Sequence, residues 1–323
     1  MIANPFFVTG MLRSGTTLLQ NILDSIPQLG CSNQQMTELF IQTKRDFLLQ
    51  KNLQPYHILS NYFPPVSEPI DFTNYLNQQD FQHKYLQNLN QHKTGNKEVL
   101  AEEFISHLSK KTKIILIIRN PKDVLTSLRF GKYKEYTGKH RPLLFDIRNW
   151  RKSVAFAIKE ETNPNFLLVK YENLVSNFEA EYNRILQFIF GQKVHNITPV
   201  EKSFPDNSSF GLSKQKIYTG SVNNFLHYLS PDIQNSIDFL CSPEMKYLGY
   251  SVKSELDIDL KKIEEFKNYN YSEREEFQDF DLVKELEREK IRLNYQNSAT
   301  KISGNEIREN FIFEEVFLTL KHY

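Results

Sequence analysis

An α/β domain built on a parallel sheet is the fold class the sequence predicts, and three observations predict it. The short aromatic and β-branched run Pro5 to Thr9 leads through a glycine turn into an apolar series at helical spacing. Lys113 to Ile118 reads Lys-Ile-Ile-Leu-Ile-Ile, the continuous hydrophobicity of a strand buried on both faces. Around these runs strand and helix signals alternate, giving three layers with the sheet in the middle. With 323 residues, 40% hydrophobic content and 25 Phe, the chain has material for one main core and a small appendage.

In chain order, Leu18, Leu19, Ile22, Leu23 and Ile26 continue the first strand and turn as a helix, which Pro27 and Gly30 stop. A second strand is expected around Leu29 to Ser32. Residues 40–110 are expected to be a helical insertion. Within it Asn74 to Asn96 is rich in Gln and Asn, but Phe81, Tyr85 and Leu89 recur every four residues. After the 113–118 strand, Pro121 suits the first turn of a helix carrying Val124, Leu125 and Leu128, and Phe166 to Val169 reads as another buried strand. Beyond Leu248-Gly249-Tyr250 the composition turns heavily charged, and Ser272-Glu273-Arg274-Glu275 offers a capping box ahead of Phe277, Phe280, Val283 and Leu286. The chain therefore divides into a domain at 1–252 and a separate helical extension at 253–323, packed on the domain or on a twin subunit in a homodimer.

A formal net charge of +1 gives no global basic field, which argues against nucleic acid as a partner and makes any anion site a local cluster. Cys31 and Cys241 are too few for a disulfide framework and suit a reducing compartment. No window approaches the roughly 18 apolar residues of a membrane span and no signal peptide is evident, so a cytoplasmic protein without a membrane span is expected.

The chemistry is carried by two motifs. Gly10-Met11-Leu12-Arg13-Ser14-Gly15-Thr16-Thr17 has the spacing of a phosphate-binding P-loop, in which backbone N–H groups at a helix start point at an anion. The slot where nucleoside triphosphate enzymes carry lysine holds Thr16, and the positive charge sits earlier, at Arg13. The 114–118 strand ends in Arg119, where Mg²⁺ binding would want an aspartate. The site is thus expected to hold an anion without a metal. The second motif, Arg119-Asn120-Pro121-Lys122-Asp123-Val124-Leu125-Thr126-Ser127, sets a guanidinium at a strand end, suited to gripping a phosphate, and a hydroxyl further along the helix.

Together, in this order, the motifs resemble those of the sulfotransferases that use 3′-phosphoadenosine 5′-phosphosulfate (PAPS), with a P-loop NTPase-like fold. The Arg-Ser-Gly-Thr-Thr form is nearer the bacterial and protein-tyrosine enzymes than the cytosolic animal ones, and Leu18 replaces the latter's adenine-stacking Trp. The resemblance implies that Ser14, Gly15, Thr16 and Thr17 cradle the 5′-phosphosulfate and that Arg13 neutralises charge on the bridging oxygen. It also implies that Arg119 and Ser127 hold the 3′-phosphate. Further likenesses lie at Trp150, at Phe166 to Leu174, where Tyr171 would approach the adenine, and at Asn207 to Phe210 and Gly220 to Phe225, where Ser209 and Gly220 would close over the nucleotide. The cytosolic enzymes carry Arg-Lys before that glycine, whereas this chain has Tyr218-Thr219, leaving Lys214 or Lys216 as substitutes. The product would be adenosine 3′,5′-bisphosphate (PAP), and the acceptor a hydroxyl of a small molecule, glycan, lipid or peptide.

For the base that takes the acceptor's proton, Glu38 is the candidate on the sheet's carboxyl edge, although Gln34 and Gln35 stand nearest the tyrosine-sulfating enzymes' glutamate. Lys97, ahead of Lys93, is the candidate for stabilising the transferred group. His107 ranks below Glu38, because it falls in a helical stretch with Phe104, Ile105 and Leu108 where an exposed or packed histidine is expected rather than a catalyst. Two other readings stand beside this one: a P-loop small-molecule kinase, and a catalytically silent nucleotide-binding module.

Overall fold

The computed structural model describes residues 3–50, 69–90, 93–131, 141–193, 219–253, 275–277, 281–297 and 303–323. Its centre is a five-stranded parallel sheet in the order β2-β3-β1-β4-β5, formed by β1 (Phe6–Thr9), β2 (Cys31–Asn33), β3 (Gly95–Lys97), β4 (Lys113–Ile118) and β5 (Phe166–Lys170). In chain order the helices are α1 (Thr16–Asp24), α2 (Thr37–Gln50), α3 (Pro69–Gln78), α4 (Phe81–Asn90), α5 (Ile105–Leu108), α6 (Pro121–Phe130), α7 (Leu143–Lys159), α8 (Tyr171–Ser176), α9 (Phe178–Phe190), α10 (Phe225–Tyr228), α11 (Pro231–Tyr247), α12 (Leu282–Asn297), α13 (Gly304–Phe311) and α14 (Glu314–Leu320). Strand pleating sorts the core into two layers. Phe6, Val8, Ile115, Ile117 and Val169 pack under α1 and α9, while Phe7, Ile114, Leu116 and Ile118 join the larger cluster on the opposite face. Among the described residues no helix is long and apolar enough to cross a membrane.

The insertion expected at 40–110 contains a strand. β3 lies between β1 and β2, with Gly95 in register with both Phe6 and Cys31. Gly-Asn-Lys has no apolar signal of its own, and backbone pairing on both sides makes it a strand. A Cβ on Gly95 would stand 2.0 Å from the Phe6 ring, so the glycine is what lets that ring lie across β3. The helix read through Asn74 to Asn96 is broken at Asp80, which has φ +50, and ends at Asn90; Phe81, Tyr85 and Leu89 are buried as their spacing predicts.

Within the expected 253–323 extension the described residues form α12, α13 and α14, packed on the domain. Leu286, Leu293, Ile307, Phe311, Phe313, Val316, Phe317 and Leu320 belong to the same apolar cluster as one face of the sheet. Of the expected capping box only Glu275 is described, in the 3-10 turn Glu275–Phe277; α12 begins at Leu282, and Lys284 N–H donates to Asp281 Oδ1 at 3.1 Å as its cap. Val283 is exposed rather than inward, and Ser272 and Phe280 fall outside the described residues.

Candidate active site

All five strands are parallel, so the segments following β1, β3, β4 and β5 gather at one edge, where ligands bind in such sheets. The turn after β1 is shaped by two glycines. Gly10 has φ +153, and a Cβ there would stand 2.4 Å from the Ile117 carbonyl oxygen; Gly15 has φ +100, and a Cβ would stand 2.4 Å from the Tyr171 ring. Arg13 itself is left-handed at φ +66, a conformation a non-glycine residue holds only where its surroundings demand it. Gly15 caps α1 without any side-chain bond, so the first N–H groups of the helix face the turn as anion donors. Ser14 is fully buried, and its Oγ has no hydrogen-bond partner among the described residues.

The second motif meets this turn. Arg119 leaves β4 and donates from Nη1 to the Arg13 carbonyl at 3.2 Å and from Nη2 to the Ser221 carbonyl, while its guanidinium lies 4.6 Å from the Tyr171 ring centroid. Arg119 Nε is buried and unpartnered among the described residues. Trp150 Nε1 on α7 donates to the Arg119 carbonyl at 2.8 Å and fixes the strand end. Asn120 caps α6 by accepting from Lys122 N–H at 3.0 Å, with Pro121 in the first turn as expected. Ser127, on the same helix, accepts from Arg13 Nε at 2.9 Å. The two motifs, more than 100 residues apart in the chain, are therefore bonded to each other twice.

Tyr171 opens α8 at the end of β5, and its hydroxyl shares a hydrogen bond with Ser221 Oγ. Its neighbour Glu172 accepts from Asn120 N–H at 2.8 Å and from the Tyr250 hydroxyl at 2.9 Å, tying β5 to the β4 corner. Thr16 is buried in the first turn of α1, Thr17 follows it, and Gly220 sits exposed in the 3-10 turn Thr219–Ser221. Ser209, Lys214 and Lys216 lie outside the described residues.

On the β3 side the candidate lysines separate. Lys97 ends the strand at the same edge as the P-loop, in register with Val8, whereas Lys93 precedes it and pairs with Asp24 at the far edge. Lys97 is 1% exposed and donates from Nζ to Gln34 Oε1 at 3.2 Å. Burial pulls its ammonium down from the ordinary 10.5 to about 8, against the attraction of Glu98. At pH 7 it is protonated in both the folded and the unfolded chain, so the full burial cost, roughly 3 kcal/mol, is present; it fades as pH rises from about 8 towards 10.5, where the unfolded chain still holds the proton. Lys97→Met should therefore stabilise the fold by about 2 kcal/mol at pH 7, allowing ~1 kcal/mol for the lost Gln34 bond, and should leave it no more stable than the parent at pH 10.5, where the burial cost has gone. Urea unfolding at the two pH values reads this directly, and equal stability of variant and parent at pH 7 would refute it.

Glu38 stands exposed on the first turn of α2. The buried carboxylate at this edge is one the sequence reading passed over, Glu98. It accepts from Met36 N–H at 3.0 Å, Asn96 Nδ2 at 3.1 Å and Thr37 Oγ1 at 2.7 Å, and burial raises its pKa. Recognising β3 would have pointed to it. His107 is packed rather than exposed, buried against Phe81, and burial lowers its imidazole to about 4. Among the described residues no cluster of His, Cys, Asp or Glu is arranged to hold a metal ion.

The model of the sulfotransferase family matches residues 5–191. Among solved structures, the sulfotransferase domain from the Synechococcus PCC 7002 olefin synthase is 17% identical, with 77% of this chain and 96% of that one covered at a TM-score of 0.47. The mouse sulfotransferase SULT7A1, solved as a complex with PAP, is 15% identical over 82% of this chain and 89% of its own, at a TM-score of 0.45. No curated protein matches the chain significantly.

Proposed function

The chain belongs to the sulfotransferase family, and from that premise we propose that it moves a sulfuryl group from PAPS to an acceptor hydroxyl, leaving PAP. One observation carries the reading. Ser14 Oγ and Arg119 Nε are buried donors without partners among the described residues, one in each motif, and Arg119 Nη1 ties the motifs together at the Arg13 carbonyl. What sets these two apart is their place, in two motifs bonded to each other beside the uncapped start of α1, where a ligand with anionic groups at both ends fits.

In this reading Ser14, Gly15, Thr16, Thr17 and the first amides of α1 hold the 5′-phosphosulfate, and Arg119 with Ser127 holds the 3′-phosphate. Tyr171, Ser209 and Gly220 border the adenosine. As the acceptor oxygen bonds to sulfur and the bond from sulfur to the bridging oxygen breaks, Arg13 neutralises the charge left on the phosphate, and Lys97 faces the transferred group. Glu98 is already committed to three donors and fixes the start of α2. Glu38, exposed in that first turn, is the carboxylate accessible to an acceptor's proton. The acceptor is a hydroxyl of a small molecule, glycan, lipid or peptide, and no residue of the site requires a metal.

Calorimetry with PAP and with MgATP, alongside sulfate transfer from radiolabelled PAPS to a panel of alcohols and phenols, tests the proposal. PAP should bind without metal and more tightly than MgATP; a metal-dependent preference for MgATP would favour a kinase, and binding with no transfer to any acceptor would leave only a nucleotide-binding module. Arg119→Ala should weaken PAP by about 2–3 kcal/mol, on the order of 30- to 150-fold, for loss of a charged phosphate contact. Unchanged affinity in that variant would remove Arg119 from the site.

A further inference from the structure

The turn Thr219–Ser221 and the residues up to Phe225 cross the β4 corner, and two groups of opposite charge on that corner grip them. Arg119 takes the Ser221 carbonyl. Asp123, in the first turn of α6, takes the amides beyond it: Oδ2 accepts from Asn223 N–H at 2.8 Å and Oδ1 from Phe225 N–H at 3.1 Å. Between these bonds Asn223 is held left-handed at φ +61, a strained state for a residue with a side chain. Asp123 is 1% exposed, and Phe225 is buried beneath Lys122, whose Nζ stands 4.8 Å from the ring centroid and pairs with Asp238 at 2.7 Å.

We propose that Asp123 is a latch: a positioning residue whose two-amide grip keeps residues 221–225 docked over the nucleotide corner while Arg119, through an Nε that has no partner among the described residues, is shared between the Ser221 carbonyl and the 3′-phosphate. The proposal rests on the reading of Arg119 given above. If Arg119 Nε is drawn to a phosphate, the guanidinium that holds the Ser221 carbonyl through Nη2 serves two partners at once. Asp123 has no such second duty, since both of its oxygens are already committed to the segment. Nucleotide binding would then load one of the two grips and leave the other unchanged.

The test has a nucleotide-free arm and a nucleotide arm. Amide-resolved hydrogen exchange on the free wild-type protein should find Asn223 and Phe225 protected and the intervening Asn224 amide faster by at least tenfold. In Asp123→Asn, which keeps the shape but only one neutral acceptor oxygen, protection at 223 and 225 should fall about tenfold or more. Equal exchange at the three amides in the parent, or unchanged protection in the variant, overturns the latch. The free-protein pattern needs no variant to fold. In the second arm, stopped-flow displacement should show PAP leaving Asp123→Asn about tenfold faster with an association rate within twofold of the parent. An unchanged dissociation rate alongside lost protection would mean that the grip exists but does not retain nucleotide, and would also overturn the proposal. Failure of PAP to bind the wild-type protein would instead count against the reading of the site, and the exchange pattern would still judge the grip.

Discussion

Replacing Arg13 with alanine is expected to lower kcat by about 10²- to 10³-fold, the size typical of removing one preorganised charge partner from a developing anion, while PAP affinity changes by no more than about tenfold. The difference follows from what the residue contributes in each state. Its backbone carbonyl, which Arg119 Nη1 uses at 3.2 Å, survives the substitution, as do the capless amides of α1 and the Ser14 hydroxyl. Ground-state binding therefore keeps most of its donors. What is lost is a guanidinium anchored by Ser127 at 2.9 Å, which matters most when the bridging oxygen gains charge. Alanine at φ +66 carries a left-handed penalty comparable to arginine's, so the substitution adds no new backbone strain, and Arg13→Gly is the control that relieves it. Single-turnover transfer from radiolabelled PAPS together with PAP calorimetry separates the two quantities. Equal losses in rate and affinity would make Arg13 a simple binding residue.

Most of the sheet edge was legible because its strands announce themselves by hydrophobicity: β4 and the turn after β1 read directly from Ile114 to Ile118 and from Phe6 to Thr17. β3 was not, since Gly95, Asn96 and Lys97 acquire strand geometry only from the neighbours they pair with. That omission hid Glu98 and left Lys93 and Lys97 undivided until the register separated them by edge. Of the residues proposed from sequence, Arg13, Arg119, Ser127 and Tyr171 are joined by bonds and ring contacts, whereas Glu38 stands exposed and Ser209 falls outside the described residues. Asp123 carried no special signal, because an acid in the first turn of a helix is ordinary; what singles it out is a segment 100 residues further on, which only the fold brings near. The charged C-terminal stretch was expected to pack on the domain or on a twin subunit, but its polar partners were not legible. Alternating Glu and Arg along a helix reads as a solvated face, and nothing local reveals that complementary arginines on α7 await it.

Those arginines set the largest stability effect expected in the molecule: Glu289→Ala should cost about 3–5 kcal/mol, the range for removing one partner from a buried ion network. Glu289 on α12 is 2% exposed and accepts from Arg148 Nε at 2.7 Å, Arg151 Nη1 at 2.5 Å and Arg292 Nε at 3.0 Å. Burial alone would raise its carboxyl, but Arg151, Arg148 and Arg292 together hold it well below the ordinary 4.5. Its contribution is thus fully present above pH 4.5 and is lost as pH falls through the depressed folded value. Without the carboxylate, three guanidiniums would crowd a dry pocket between α7, α11 and α12. Glu244 would offer only the longer contacts of 3.6 Å to Arg151 and 3.5 Å to Arg292, and Glu285 would remain with Arg148. Glu289→Gln, which keeps the shape and an acceptor oxygen, should cost less than the alanine, and the gap between the parent and each variant should narrow as pH falls below about 4.5. Urea unfolding from pH 7 to pH 3 measures this, and a loss of under about 1 kcal/mol in Glu289→Ala at pH 7 would mean that the arginines find water instead and that α12 is held by its apolar contacts alone.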